Sequence, residues 1–226
     1  MNAPRPAHVE ATLRRLLRAW FAFERQLARV PLIARLDEGT FTRDDYLTLL
    51  RNLRPQVVEG ARWISRAASS FDRDHADVRS LVLGHAHEEH RDYEMLEADF
   101  AALGGDVAVL RDQPRNVGTE ALHGYLMHRA TQPNPVALLG AMWIIEGLGS
   151  RMATRWAERI EALTGVGPEA TRFLRYHGEN DDGHLDKLHE LVARLCTTEA
   201  ATDAVVTTAE VTGRLYALQL EEADRA

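Results

Sequence analysis

The sequence predicts an all-α protein that folds as one domain, a bundle of seven helices. Alanine, leucine, arginine and glutamate dominate, and most glycines and prolines lie between segments with helical periodicity. No stretch alternates polar and apolar β-branched residues between hairpin turns, the pattern that strands produce. The 226 residues contain no repeat and no proline-, glycine- or serine-rich linker. We therefore expect one domain over residues 1–226, with a core at 8–197 and a C-terminal helix at 198–222.

The first three predicted helices have recognisable ends. The first covers residues 8–29, with large apolar side chains on one face, and Pro31 follows it. The second covers 40–70, begins at one of two capping threonines followed by acidic residues, and should kink or split at Pro55. The third covers 74–103 and stops at a pair of glycines.

The second half of the chain supplies four more helices. Residues 106–117 are expected to form a loop, after which the fourth helix covers 118–131. Two prolines open the fifth, at 136–163, and two glycines close it. Another proline opens the sixth, which extends to residue 195 and precedes the C-terminal helix.

Composition and charge exclude several classes of function. A net charge of -7 leaves no basic excess to neutralise phosphates, so we expect neither nucleic-acid binding nor docking on an anionic membrane. The longest apolar run, 136–145, is far shorter than the ~20 residues of a membrane span. The N-terminal ten residues do not have the pattern of a signal peptide, which favours a cytoplasmic protein. Cys196 is the one cysteine, which excludes an internal disulfide.

Glu146 is a carboxylate in an otherwise apolar helix. The flanking sequence, Leu138 to Leu148, is apolar nearly all round, so this helix should be buried. An unpaired buried carboxylate is costly by several kcal/mol. Glu146 must therefore be protonated, paired with an arginine, or bound to a metal.

The sixth helix carries imidazole and carboxylate groups on one face. His177, Asp181 and His184 stand at i, i+4 and i+7, and Phe173 and Leu188 share their face. The apolar neighbours favour a face that points into the core, although a solvated polar face is the alternative. Two imidazoles and a carboxylate suit iron, manganese or zinc.

The third helix holds three histidines and three carboxylates within residues 85–92. His85, Glu89 and Asp92 share a face with apolar Val82 and Leu96, so this face should point inward and these three are candidate ligands. A second face carries charged neighbours and should be solvated: His87, His90, Glu94 and Glu97.

Other polar and aromatic residues near these helices are candidate pocket residues. Glu59 is a further ligand, a substrate contact, or a partner of Arg62 or Arg66. Glu120 and His123 form one Glu-x-x-His pair, but a ferritin-like di-iron bundle needs two, so this pair is interpreted as a decoy. The tentative substrate pocket comprises Glu59, Arg62, Trp63, Tyr93 and Trp143.

Taken in order along the chain, these residues resemble the haem-oxygenase-like di-iron oxidases and oxygenases, relatives in fold of haem oxygenase, thiaminase II (TenA) and pyrroloquinoline-quinone synthase. The resemblance covers residues 46–195. It depends on Glu88-Glu89 with Leu103-Gly104 downstream, on the segment from Asn134 through Glu146 to Gly149, and on Tyr176-His177 through His184.

The resemblance implies iron ligands at four positions: Glu146, His177, Asp181 and His184. Members usually have a histidine just after the Glu-Glu pair, where this chain has Asp92. Either Asp92 is a ligand, or His85 substitutes from the preceding turn, or His90 turns inward. One of the two iron sites is then weak or missing.

The implied activity is that of a non-haem di-iron enzyme, with two irons per chain (Fe/Fe or Fe/Mn) and O2 as co-substrate. Its substrate would be a small organic molecule, derived from an amino acid or resembling a fatty acid, in a biosynthetic reaction. An external electron donor and a homodimer are further expectations.

Two other classes of function fit the same sequence. A cofactor-free oxidase or hydrolase, similar to pyrroloquinoline-quinone synthase or TenA, would use the histidines as general acids and bases. TenA itself is disfavoured because Cys196 lies beyond the candidate site, and haem oxygenase because the first helix offers only His8. A non-catalytic metal- or partner-binding helical protein is the second alternative.

Overall fold

A computed structural model describes residues 6–223, apart from the side chain of Asp182. Within that range the chain is all-α, as predicted, with eleven α-helices and four short segments of other helical geometry. The helices are α1 (Ala7–Leu27), α2 (Pro31–Glu38), α3 (Arg43–Ser70), α4 (Ala76–Glu89), α5 (Asp92–Ala102), α6 (Val107–Arg111), α7 (Val117–Ala130), α8 (Leu139–Leu148), α9 (Thr154–Thr164), α10 (Arg172–Leu195) and α11 (Glu199–Glu221). Three 3-10 turns lie at Arg73–His75, Val136–Leu138 and Pro168–Ala170, and a π-helical turn at Gly149–Ala153 joins α8 to α9.

Helix α8 lies at the centre of the bundle, between α11, α10 and α1. Helix α11 also packs on α1 and α7, while α3 packs on α4, α5 and α7. Gly140 permits the closest of these approaches, because a Cβ there would lie 1.9 Å from the carbonyl oxygen of Val205 on α11. The buried core therefore closes around α8, the helix that carries Glu146.

The continuous helical stretch Val136–Thr164 is long and apolar enough to cross a bilayer by length and composition. In the fold, 67% of its most apolar window is buried inside the protein. Its apolar side chains are therefore accounted for by core packing.

The predicted number of helices is wrong in the first half of the chain. Pro31 opens a further helix, α2, as the first helical residue, where its missing N–H costs nothing. The expected loop at 106–117 contains the short helix α6, which Asp106 caps. Pro55 does not split α3, which packs on three other helices along its length.

The predicted third helix is divided at His90 and Arg91 into α4 and α5. The His90 ring donates from Nδ1 to the His87 carbonyl oxygen at 2.6 Å, an acceptor that a continuous helix would offer to the Arg91 amide. The division changes the angular register of α5, so the prediction that Glu97 is solvated is wrong. Glu97 is 5% exposed, and its carboxylate accepts from Arg54 Nε at 2.8 Å and Arg111 Nη2 at 2.6 Å.

Candidate metal centre

The structure brings seven polar side chains from four helices to one place beside α8. Helix α4 supplies His85 and Glu89, and α5 begins with Asp92. The break between the two helices therefore places these candidate ligands on two separate helices. Helix α8 supplies Glu146, which is 3% exposed. Helix α10 supplies the three residues spaced along its inner face: His177, Asp181 and His184.

Potential ligand atoms form two groups, each with all its atoms within 4.8 Å of one another. The first group is His85, Glu89, Glu146 and His184, and the second is Glu89, Asp92 and His177. Glu89 belongs to both. Asp181 lies between the histidines of the two groups, with Oδ1 3.2 Å from His177 Nδ1 and 3.7 Å from His184 Nδ1.

Three ligand-type atoms in this cluster are buried and have no hydrogen-bond partner in the described part of the chain: His85 Nε2, Asp92 Oδ2 and His177 Nε2. His85 Nε2 lies 3.3 Å from Glu146 Oε1, and His177 Nε2 lies 3.4 Å from Asp92 Oδ2. Buried polar atoms are costly when they are left unpaired. Imidazole nitrogens and carboxylate oxygens left in this state, each beside another ligand atom, fit a bound transition metal.

The charges of the cluster also favour a cation. Burial and the nearby Glu146 and Asp92 carboxylates raise the pKa of Glu89 to about 9. Burial likewise raises the pKa of Asp92 and Asp181. Four carboxyl groups therefore share a buried volume in which they cannot all ionise without added positive charge. A metal ion would supply that charge and hold them as carboxylates.

The histidines partly offset this excess of acid. His184 Nδ1 lies 2.8 Å from Glu146 Oε2, and this hydrogen bond raises the pKa of His184 to about 9. Burial opposes ionisation of Glu146, but the contacts with His184 and His85 prevail and lower its pKa to about 2. Burial lowers the pKa of His177, and its hydrogen bond with Asp181 reverses that effect and raises it. The partners of Glu146 are thus histidines rather than an arginine.

Gly149, in the π-helical turn after α8, makes room for Asp181. A Cβ at this position would lie 1.6 Å from Asp181 Oδ2 and 3.3 Å from His177 Cβ. Gly149 ends one of the sequence segments that carry the family resemblance. Its function could have been inferred only from the rule that a glycine within a helix lets a neighbouring group approach closely. Single π-helical turns are frequent at functional sites.

Two cavities reach the cluster, and both are lined by Trp63, Ile64 and Glu146. One, of about 80 Å³, also touches His85 and His184, and is otherwise mostly lined by apolar side chains of α3, α4, α8 and α10. The other, of about 90 Å³, touches four cluster residues: Glu89, Glu146, His177 and Asp181.

The remaining predicted pocket residues have varied positions. Trp63 lines both cavities. The Arg62 side chain is 69% exposed and pairs with Glu59 at 2.9 Å, while Arg115 approaches the same Glu59 oxygen at 2.7 Å. Trp143 is buried and donates its indole N–H to the Leu16 carbonyl oxygen. Tyr93 is half-buried near the start of α5.

The Glu-x-x-His pair of α7 lies beside Glu59, away from the cluster. Glu120 accepts from Arg115 at 3.0 Å, and His123 Nδ1 is 3.9 Å from Glu59 Oε2. His90, at the break between α4 and α5, is exposed and does not turn inward. Sequence reasoning missed Glu88, whose side chain reaches the outer edges of His85 and His184.

Residues 47–217 match the model of a family of iron-containing redox enzymes. The chain belongs to this family. The match includes all seven clustered residues, and no curated protein matches the sequence significantly.

Solved structures confirm that the chain has a haem-oxygenase-like fold. A domain of unknown function with that fold from Shewanella denitrificans is 22% identical with a TM-score of 0.86, over 92% of this chain and 90% of its own. A TenA homologue from Pseudomonas syringae is 14% identical with a TM-score of 0.78, over 100% and 98%. A TenA homologue from P. horikoshii is 12% identical with a TM-score of 0.75, over 95% of this chain and 98% of its own.

Proposed function

We propose that this protein is a non-haem di-iron oxidoreductase that uses dioxygen to oxidise or oxygenate a small organic substrate. The observation that carries the proposal is the position of Glu89 in both groups of ligand atoms. A carboxylate has two oxygens and is suited to be shared by two metals. The family's description supports iron and redox chemistry.

The two groups suggest how the irons divide the ligands. One iron would take His85, Glu146 and His184, the other Asp92 and His177, and both would take Glu89. Asp181 would serve either iron from its place between the two α10 histidines. On this assignment His85 and Asp92 are both ligands. When bound, ferrous iron supplies the electrons that reduce dioxygen.

The protein's own residues would prepare the site in three ways. The carboxylates balance the charge of the metal, the histidines anchor it, and the apolar cavity walls limit access of water to the reacting groups. The cavity beside His85 and His184 is lined chiefly by apolar groups such as Leu138 and Leu188. We therefore propose a substrate that presents an apolar portion to the cluster, with an external donor that restores the electrons.

The test is the reaction of the iron-loaded protein with oxygen. Anaerobically loaded wild type, exposed to O2 in a stopped-flow spectrometer, should show optical transients and consume oxygen in proportion to its iron. A His177→Ala, His184→Ala variant treated in the same way should do neither. Equal oxygen consumption by both proteins would show that free iron is responsible and would contradict the proposal.

A cofactor-free or hydrolytic enzyme of the TenA type is the second candidate, supported by the TenA homologues of the same fold. The clustered histidines would then move protons on an organic substrate. Cys196 does not suit a nucleophile here, because it is buried at the end of α10 and burial raises its pKa to about 11. Activity that is retained after complete removal of iron would favour this candidate, and absence of both iron binding and activity would favour a non-catalytic protein.

A further inference from the structure

Glu88 is the last-but-one residue of α4 and lies at the outer edge of the cluster. Its side chain is 44% exposed, and Oε2 lies 3.2 Å from His184 Nε2 and 3.9 Å from His85 Nδ1. Lys187 Nζ approaches the same oxygen at 3.3 Å. One carboxylate thus faces two histidines that come from different helices.

The other nitrogen of each ring faces inward. His184 Nδ1 lies 2.8 Å from Glu146 Oε2, and His85 Nε2 lies 3.3 Å from Glu146 Oε1. The rings meet edge to face with their centroids 4.6 Å apart. The two carboxylates therefore bracket the pair of rings, Glu146 from the buried side and Glu88 from the solvent side.

A histidine that binds a metal through one nitrogen carries a proton on the other and donates it. A carboxylate that accepts this proton fixes the ring orientation and makes the ligand more basic. Glu88 stands where it can accept from His184 Nε2 at 3.2 Å, whereas His85 Nδ1, at 3.9 Å, lies beyond hydrogen-bond distance.

We propose that Glu88 is a positioning residue that selects Nδ1 of His184 as the metal-binding nitrogen by accepting a hydrogen bond from Nε2 of the same ring. The proposal rests on the metal binding proposed above. Glu88 belongs to neither group of candidate ligands, so it acts through the His184 ring. Lys187, one turn after His184 on α10, holds the Glu88 carboxylate toward the rings.

Zinc-loaded protein with 15N-labelled histidine provides the test, because zinc is diamagnetic and long-range 1H–15N spectra identify the nitrogen that carries the proton. Wild type should show His184 bound through Nδ1 with its proton on Nε2. Glu88→Ala should bind zinc about 10- to 100-fold more weakly and exchange its His184 N–H faster. The number of zinc ions per chain should not change.

Two variants separate positioning from a general loss of negative charge. Glu88→Gln keeps an amide oxygen that accepts a hydrogen bond, and should recover most of the affinity. Glu94→Ala removes an exposed carboxylate of the next helix that pairs with Arg91, and should bind zinc as wild type does.

Each outcome has a distinct meaning. Attachment of His184 through Nε2, or Glu88→Ala affinity equal to wild type, would overturn the inference about Glu88. Loss of a whole metal ion in Glu88→Ala would overturn it too, since Glu88 would then be a ligand. If wild type binds no zinc or iron at all, the metal-binding proposal itself is wrong.

Discussion

Substitution of Gly149 by alanine should disable the candidate metal centre while the fold stays intact. The added Cβ would lie 1.6 Å from Asp181 Oδ2, and contacts closer than about 3.3 Å are rare between such atoms. The Asp181 carboxylate would therefore have to move by about 1.7 Å, the difference between the two distances. A functional constellation tolerates displacements of only about 0.5 Å.

The displaced atom belongs to a side chain and not to the backbone, so we expect the move to affect metal binding more than folding. We expect the metal-free Gly149→Ala protein to unfold within about 1 kcal/mol of wild type. Its affinity for iron should fall at least about 10-fold, because Asp181 and the adjacent His177 would both be disturbed. Anaerobic Fe(II) titration and urea unfolding measure the two quantities.

Gly84→Ala and Gly183→Ala are matched controls. Each lies next to a clustered histidine on its own helix, and a Cβ at either would meet nothing within 4 Å. Both should bind iron as wild type does, with a small gain in helix stability. Wild-type iron affinity in Gly149→Ala would refute the reasoning.

Three further predictions concern stability. Burial raises the pKa of Asp99 from 3.8 to about 6, so the stability that protonated Asp99 contributes is complete below pH 3.8 and is lost as pH rises through 6. Between pH 3.5 and 7, the free energy of unfolding of wild type relative to Asp99→Asn should therefore fall by up to about 3 kcal/mol. A difference that stays constant over this pH range would contradict the prediction. Gly140→Ala should lower the free energy of unfolding, measured in urea, by about 1–3 kcal/mol or more, because the added Cβ would overlap the backbone of α11. Gly124→Ala is the control, since its Cβ would lie in open space and should not destabilise the protein. Glu97→Ala should lower the free energy of unfolding by about 3 kcal/mol, because the largely buried Arg54 would lose the carboxylate that pairs with it. An unchanged midpoint of urea unfolding would contradict this prediction.

The helical character of the chain and the core position of α8 and α10 followed from periodicity. Phe173 and Leu188 are buried, as their shared face with His177 predicted. The separate helix α2 and the break between α4 and α5 were missed because both depend on local details: a proline that starts a helix, and a side chain that takes a backbone carbonyl.

The sequence predicted which residue types would come together, but not how they would divide. The face pattern of the predicted third helix placed His85, Glu89 and Asp92 inward, and all three lie in the cluster. The shared position of Glu89 depends on the break after it and on the angle between α4 and α10, which no spacing encodes. Glu88, one residue away, was indistinguishable from a solvated acid because its two closest partners, His184 and Lys187, lie on α10.

The central claim is that this cluster holds two irons that share Glu89. Anaerobic titration of metal-free protein with Fe(II) should end at two ions per chain. The His177→Ala, His184→Ala variant should lose both, since it removes a ligand from each group. An endpoint of zero or one in wild type, or of two in the double variant, would contradict the claim.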